Sequence, residues 1–359
     1  MLNVPSRGDQ RDILTVLGSV MDLDFEFSPA LSKDAVSDKG LPPNYENMKD
    51  GARSEWISQM DIYQQYVPRG CLLPLFFVAR HCRRILTSIS MVTNNINSAL
   101  ILEDDVDWDI RIRDQLRDFA TASLILNSRA SDIDNNTSSI TNTSEPIHFE
   151  DILNPPTPHL SPYGDHWDVL WFGHLGQRMP RDDEDSKDVI YRSYVVQHND
   201  STVAQYSQQW SMDSDFWNIE LRNRPDYTRL YHSSIQGVGT QGYAISLNGA
   251  RHALYSLNTE VEMEPIDIAL RMYCQNEHGH GHRLCLTTSP SLFSQYKNKG
   301  DTSKDSNINS AGGGFRENGR GELVRWSART NLPKLLEGRK DFEDTFPDRE
   351  DGREWTEWN

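Results

Sequence analysis

Cysteine, long apolar runs and positive charge are all scarce in this chain. Its 359 residues include four cysteines, and no two of them form a CxxC pair, so a structural zinc site has little support. No apolar run reaches the roughly 18 residues of a membrane-spanning helix. The 36 lysines and arginines are outnumbered by 53 aspartates and glutamates, which gives a formal net charge of −17. Because such a surface repels phosphate backbones, we do not expect nucleic acid as a partner.

The apolar residues that are present fall into short runs of strand length. The clearest runs are 98–102, 168–173 and 242–246. Continuous runs of this length are typical of strands that are buried on both faces of an α/β sheet. Helices are predicted over 248–256 and from Pro265 onward. Because strands alternate with helices, the sequence predicts an α/β layer architecture.

The sequence predicts one domain over residues 1–300. Two segments inside this domain and one segment after it differ from the remainder in composition. Residues 66–97 are apolar and basic and contain no acid, which marks them as an atypical insertion. Residues 127–164 are rich in Ser, Thr, Asn, Asp and Pro, a composition that predicts a surface loop or a disordered insertion. Residues 301–359 are glycine-rich and charged, and we expect a weakly ordered C-terminal tail.

An acidic cluster, Glu103, Asp104 and Asp105, follows directly after the apolar run 98–102. Ligands of open α/β sheets bind at the carboxyl edge, where such a strand would end. Adjacent carboxylates repel one another unless a cation lies between them, and Mg²⁺ or Mn²⁺ prefers oxygen ligands shared with phosphates. The cluster therefore indicates a site for a metal and a diphosphate, with an ordinary solvated strand end as the alternative.

Two further features could serve such a site. Arg7 and Arg11 flank a turn near the start of the chain, and arginine presents planar donors suited to phosphate. Ordinary surface charge at a helix start is the alternative. Asp267 lies between two isoleucines, where burial could raise its pKa and make it a general base. A helix N-terminal acid that interacts with the helix dipole is the competing interpretation.

Two cysteines and a histidine tract allow two interpretations each. Cys274 and Cys285 could close a loop as a disulfide in an oxidising compartment, or remain two thiols. One glycine separates each of the three histidines His278, His280 and His282 from the next. Such a tract can bind metal, but alternating glycines favour a mobile loop.

Four sequence blocks, together with the opening turn, resemble glycosyltransferase family 25. In chain order the blocks are SALILEDDVDWD, WDVLWFGHLG, GTQGYAISLNGARHAL and PIDIALRMYC. The opening VPSRGDQR is similar to the turn that follows the first strand in this family. The family includes lipopolysaccharide-biosynthesis glycosyltransferases, procollagen galactosyltransferases and many fungal members, and the resemblance covers roughly residues 2–60 and 98–310.

The resemblance implies a GT-A fold, in which a mixed central sheet flanked by helices binds a nucleotide-sugar. It implies an inverting transfer, dependent on Mn²⁺ or Mg²⁺, of a hexose from a UDP-sugar donor to a glycan, glycolipid or glycoprotein acceptor. Galactose is the favoured hexose, and Asp267 would be the base. The metal would be held by Glu103, Asp104 and Asp105, and the donor would contact Arg7, Asp9, Arg11, Gly173, Gly242 and Tyr243.

Two departures from the family pattern follow from this comparison. Membership of the family would imply the lumen of the secretory pathway (ER or Golgi). The family's anchor or targeting segment is not found before the first strand, however, and the chain taken literally is cytoplasmic. Family members run almost directly from the helix near Met60 into the strand at 98–102, and we therefore interpret residues 66–96 as a retained intron or gene-model artefact.

A catalytically inactive carbohydrate-binding or scaffolding relative is the alternative function. A metal-dependent phosphohydrolase would require nucleophile or paired His-Asp motifs, and we find none.

Overall fold

The computed structural model describes eight segments of the chain. They are residues 1–64, 97–135, 144–181, 191–209, 219–259, 262–277, 283–304 and 313–350. The predicted insertion 66–97 lies outside these segments, except for its last residue, and the histidine tract 278–282 lies outside them entirely. Within the eight segments, no helix is both long and apolar enough to cross a membrane.

The described segments form six α-helices and sixteen strands. The helices are α1 (Gly8–Met21), α2 (Asp50–Gln64), α3 (Ile112–Asn135), α4 (Leu247–Thr259), α5 (Ile266–Cys274) and α6 (Leu332–Leu336). The strands are β1 (Leu2–Asn3), β2 (Ser28–Pro29), β3 (Ser98–Leu102), β4 (Val106–Trp108), β5 (Pro146–His148), β6 (Val169–Gly173), β7 (Gly176–Arg178), β8 (Tyr194–Gln197), β9 (Arg229–Ser233), β10 (Ile235–Val238), β11 (Gly242–Ser246), β12 (Cys285–Ser289), β13 (Phe293–Lys297), β14 (Gly300–Asp301), β15 (Phe315–Arg316) and β16 (Arg320–Gly321).

Ten of the described strands form one mixed sheet. Its main path runs β16-β13-β6-β12-β9-β8-β5, while β11 lies between β6 and β3, and β4 pairs with β13. Strand β6 is parallel to β12 and antiparallel to β11, which is in turn antiparallel to β3. The α/β class predicted from the sequence is therefore confirmed.

The central strands form where the sequence has uninterrupted apolar runs. All five residues of β6 are buried, as expected for a strand that is covered on both faces. Strands β3 and β11 have the bounds of the apolar runs 98–102 and 242–246. The predicted burial on both faces is wrong for β3, which pairs with β11 alone among the described strands and leaves Leu100 exposed. Helix α4 begins one residue before its predicted start, because the Ser246 hydroxyl accepts a hydrogen bond from the Gly249 amide and stabilises the first turn.

Helices cover both faces of the sheet, and each face has its own apolar core. On one face α2, α4 and α5 pack against side chains that include Trp171 and Tyr243. On the other face α1 and α3 pack against side chains that include Leu170 and Phe172. Successive side chains of a strand point to opposite faces, so β6 contributes alternately to the two cores.

Two polar segments are more regular than their composition predicts. The loop predicted over 127–164 is wrong for its first part, because α3 continues to Asn135 and buries an apolar stripe that includes Leu126 and Ala130. The weakly ordered tail predicted over 301–359 is wrong for residues 322–331, where the side chains of Ser327 and Asn331 are fully buried. Both errors have one cause: polar residues can be held by packing and hydrogen bonds to distant segments, which composition does not record.

Candidate functional site

The acidic cluster lies where three strands meet at one edge of the sheet. Gly242, at the start of β11, is opposite both Leu102 at the end of β3 and Gly173 at the end of β6. The backbone amide of Glu103 donates to the carbonyl of Gln241 over 3.3 Å. The carboxyl ends of β3 and β6 therefore share this edge, which is where open α/β sheets bind their ligands.

Asp104 supports the turn after β1. Its Oδ2 accepts hydrogen bonds from the Asn3 side-chain amide at 2.9 Å and from the Val4 backbone amide at 3.0 Å. Its Oδ1 lies 2.9 Å from Nη1 of Arg7. Because both carboxylate oxygens are engaged, Asp104 is the least available of the three predicted metal ligands.

Asp105 is the member of the cluster with an unsatisfied oxygen. The residue is 7% exposed, and its Oδ2 accepts a hydrogen bond from the Gln295 side-chain amide at 3.0 Å. Its Oδ1 is buried and has no hydrogen-bond partner among the residues that the structure describes. A buried carboxylate oxygen without a donor is unfavourable, so this atom can gain stabilisation from a cation or a ligand.

Glu55, in α2, joins the cluster from a distant part of the sequence. Oγ1 of Thr240 lies 2.7 Å from Oε1 of Glu103 and 3.2 Å from Oε1 of Glu55. A hydroxyl group carries one proton, so Thr240 can donate to only one of these carboxylates at a time. The other close contact is favourable only if that carboxyl group carries a proton or if a cation is present.

Burial and mutual repulsion raise the pKa of both glutamates. Desolvation, followed by the charge of Asp267, raises the pKa of Glu55 to about 7. Desolvation, followed by the charges of Glu55 and Asp105, raises the pKa of Glu103 well above its usual value. The cluster can therefore hold protons near neutral pH, and it is a favourable location for added positive charge.

Of the three residues predicted around the opening turn, Arg7 contacts the acidic cluster. In addition to its ion pair with Asp104, its Nη1 lies 3.7 Å from Oδ2 of Asp105. The guanidinium of Arg11 instead lies over the Phe27 ring, 5.4 Å from its centroid. Asp9 accepts a hydrogen bond from the side chain of the following glutamine at 2.9 Å. Arg7 is therefore the member of the turn that is best placed to meet a phosphate.

Asp267, the predicted base, lies in the first turn of α5 and supports a neighbouring loop. Its Oδ2 accepts a hydrogen bond from the Gly239 amide at 3.0 Å, and its Oδ1 accepts one from the Ile268 amide at 2.9 Å. Gly239 has a φ of +82°, a left-handed conformation that favours glycine. The charge of Asp267 also raises the pKa of Glu55, so the two carboxylates lie within electrostatic range.

Gly173, Gly242 and Tyr243 set the spacing of the strands next to the cluster. A Cβ atom on Gly173 would lie 2.6 Å from the Gly242 nitrogen, and one on Gly242 would lie 2.8 Å from the Leu102 side chain. Tyr243 is fully buried, with its hydroxyl 2.5 Å from that of Tyr63. These contacts give all three residues a packing role, and their predicted contact with a donor stays a prediction.

The chemistry of the cluster suits a hard divalent cation, although the described residues do not assemble a full ligand set by themselves. Among the described residues, no group of three or more His, Cys, Asp or Glu side chains is arranged to hold a metal ion. Glu103 and Asp105 supply the oxygen ligands that Mg²⁺ prefers, and such ions commonly bind one or two carboxylates and complete their coordination with substrate phosphates and water. The residues therefore fit a cation that binds together with a diphosphate.

Of the two interpretations of Cys274 and Cys285, the structure has the disulfide, with the two Cα atoms 5.6 Å apart. It joins the last residue of α5 to the first residue of β12. Both cysteines are buried. The bond therefore ties the helix that carries Asp267 to the central sheet.

Sequence reasoning missed Glu55, Thr240 and Arg329. Glu55 and Thr240 are 185 positions apart, and no local pattern relates them. Arg329 lies in the segment predicted as a tail, yet its Nη2 donates to the carbonyl of Asp104 at 2.8 Å. The nearest available signal was the position of Thr240 in one of the four sequence blocks that resemble glycosyltransferases.

Comparison with protein-family models gives no match, and comparison with curated proteins gives none either. The cluster offers in Glu55 a carboxyl group with a pKa of about 7, oxygen ligands for a cation, and in Arg7 a planar donor for phosphate.

Proposed function

We propose that this protein is a metal-dependent, inverting glycosyltransferase of GT-A architecture. It transfers a hexose, with galactose favoured, from a UDP-sugar to a hydroxyl group of a glycan, glycolipid or glycoprotein. The observation that carries the proposal is the meeting of carboxylates from α2, the end of β3 and the start of α5 beside the loop at Gly239 and Thr240. The end of β3, the start of α5 and the loop at Gly239 and Thr240 all lie in sequence blocks that resemble family 25.

The surroundings of each side chain suggest its task. Glu103 and Asp105 would hold Mn²⁺ or Mg²⁺, because Asp104 is engaged with the turn after β1. When bound, the metal neutralises negative charge on the departing UDP. Arg7, whose side chain is 28% exposed, would turn from the carboxylates to the nucleotide phosphates.

Inversion by direct displacement requires a carboxylate beside the acceptor hydroxyl group. The hydroxyl oxygen attacks the anomeric carbon as the bond to UDP breaks, and the base takes the hydroxyl proton. Asp267 is the proposed base. Each of its oxygens accepts one amide hydrogen bond, and an ionised carboxylate has about four acceptor positions, so it retains capacity for a hydroxyl proton.

Hydrolysis of a panel of UDP-hexoses by the full chain tests the proposal. Released UDP is measured at neutral pH with MnCl₂ and, in parallel, with a chelator. We expect release that depends on the metal and is fastest for UDP-galactose. If no sugar nucleotide is hydrolysed or bound in a metal-dependent way, the proposal is wrong. Retained glycan binding would then favour the inactive carbohydrate-binding relative.

A further inference from the structure

Arg329, in the C-terminal segment 313–350, contacts the acidic turn directly. Its guanidinium donates from Nη2 to the carbonyl of Asp104 at 2.8 Å and from Nε to the carbonyl of Val106 at 2.7 Å. Its Nη1 donates to the side-chain carbonyl of Gln10 at 2.6 Å. The residue is 6% exposed, so these bonds are made away from solvent. One side chain thus links α1, the acidic turn and the C-terminal segment.

Asp107 provides the opposite charge for this buried guanidinium. Its carboxylate accepts hydrogen bonds from the Ser327 hydroxyl at 2.6 Å and from the backbone amide of Arg329 at 3.2 Å. Burial lowers the pKa of Arg329, and the charges of Asp107 and Asp105 act in the opposite direction. The nearby carboxylates therefore compensate in part for the removal of the guanidinium from water.

We propose that Arg329 is a positioning residue for the acidic turn, and that the C-terminal segment is part of the candidate site. Its bonds to the carbonyls of Asp104 and Val106 hold the backbone on both sides of Asp105, and they therefore set the direction of the Asp105 side chain. Its bond to Gln10 places the same guanidinium in contact with α1, whose start carries the predicted nucleotide turn. The inference rests on the proposed function for the identity of the ligands.

A purely structural role for Arg329 is the competing explanation, and Arg325 provides a matched control. Arg325 belongs to the same segment and is similarly buried, at 7% exposed. Its ion pairs are formed with Asp344 at 2.9 Å and with Asp348 at 2.6 Å, away from the acidic turn. Replacing either arginine should weaken the packing of the segment, but only Arg329 should affect Asp105.

Ligand binding by the full chain separates the two explanations. Calorimetry measures MnCl₂ binding alone, and then UDP binding at saturating MnCl₂, for the wild type, Arg329→Met, Arg329→Lys and Arg325→Met. Arg329→Met removes positive charge from near Asp105, which by itself favours the cation. We expect the loss of ligand orientation to dominate and to weaken Mn²⁺ binding about tenfold or more, while Arg325→Met leaves it unchanged. Arg329→Lys should recover part of the loss, because an ammonium group can still donate to a carbonyl. Equal Mn²⁺ affinities in Arg329→Met and Arg325→Met would overturn the proposal.

Amide hydrogen exchange gives a second readout that needs no ligand. A peptide that covers residues 103–108 should exchange faster in Arg329→Met than in Arg325→Met, at matched global stability. Equal exchange in the two variants overturns the positioning role, and Arg329→Lys supplies the same comparison if Arg329→Met does not fold. A wild-type protein that binds neither Mn²⁺ nor UDP would refute the proposed function, while the exchange experiment would still decide the role of Arg329.

Discussion

Arg7 and Asp104 form an ion pair in which Nη1 and Oδ1 are 2.9 Å apart. The Asp104 side chain is 5% exposed and that of Arg7 is 28% exposed, so the pair lies at the boundary between the interior and solvent. The same nitrogen lies 3.7 Å from Oδ2 of Asp105. The guanidinium therefore supplies positive charge to the turn, and a diphosphate would compete with the carboxylates for it.

Replacing Arg7 with methionine should change metal and nucleotide affinity in opposite directions. Removing a competing positive charge should strengthen Mn²⁺ binding to the ligand-free protein by roughly threefold. Removing a phosphate-binding group should weaken UDP binding at saturating Mn²⁺ by about tenfold. Calorimetry measures both constants, with Arg11→Met as the control because Arg11 lies over Phe27. Weaker Mn²⁺ binding in Arg7→Met would show that Arg7 organises the carboxylates and does not compete for them.

Replacing Asp105 with alanine should abolish most turnover with little effect on folding. The variant removes a proposed metal ligand, and we expect turnover to fall by about 100-fold or more. Stability should change little, because the lost Gln295 hydrogen bond is offset by removal of a buried oxygen that has no donor among the described residues. UDP release and urea unfolding are the measurements. Asp118→Asn is the control, since Asp118 lies on α3 and pairs with Gln197. An Asp105→Ala variant that keeps most of its activity would remove Asp105 from the metal site.

The raised pKa of Glu55 makes stability depend on pH. Its pKa is about 7 in the folded protein, against an ordinary value of 4.5, so the folded state binds more protons between these values. The stabilisation that comes from protonated Glu55 is complete below the ordinary pKa and is lost as pH rises through about 7. The free energy of unfolding of the wild type should therefore fall from about pH 5 to pH 8.

Glu55→Gln isolates this contribution, because glutamine keeps the shape of the side chain and does not ionise. We expect the variant to be more stable than the wild type at about pH 8, by on the order of 2 kcal/mol, and similar to it near pH 5. Urea unfolding across this range measures the difference. Saturating MnCl₂ should reduce it, since a cation relieves the same repulsion. Parallel pH profiles for the two proteins would contradict the raised pKa.

The parts of the fold that the sequence predicts are those set by local pattern. Strands β3, β6 and β11 coincide, within one residue, with apolar runs. Burial on both faces explains the runs of β6 and β11, but not that of β3, where Leu100 is exposed. The cysteine pair was also predictable as one of two alternatives, since the two residues are 11 positions apart. The Glu103–Asp105 turn follows directly from the end of such a run.

The remainder of the site depends on contacts between residues that are distant in sequence. Arg329 bonds to Gln10 across 319 positions, and Glu55 meets Thr240 across 185. Such pairs leave no periodicity in either segment, since one contact constrains only one side chain on each. The prediction from composition differs most from the structure in the C-terminal segment. Its charged residues are typical of a solvated tail, but Arg325 and Arg329 are buried and paired.

Replacing Asp267 with asparagine should separate transfer from donor binding. Asparagine can still accept an amide hydrogen bond through its carbonyl oxygen, so the Gly239 loop should keep its support. It cannot take a proton from an acceptor, and we expect transfer to fall by about 100-fold or more at unchanged UDP affinity. The measurements are UDP calorimetry and sugar transfer to an acceptor identified by screening. Transfer at the wild-type rate would exclude Asp267 as the base.

Removing the disulfide should lower stability and loosen the helix that carries Asp267. The bond between Cys274 and Cys285 closes a loop whose ends are 11 positions apart, which corresponds to roughly 3 kcal/mol in the chain-entropy model. Replacing both cysteines with serine should reduce the free energy of unfolding in urea by about that amount, and reducing the wild type should give the same value. If the double variant unfolds at the wild-type urea concentration, then α5 is held by the packing of Ile266, Leu270 and Tyr273 in the apolar core, without help from the covalent bond.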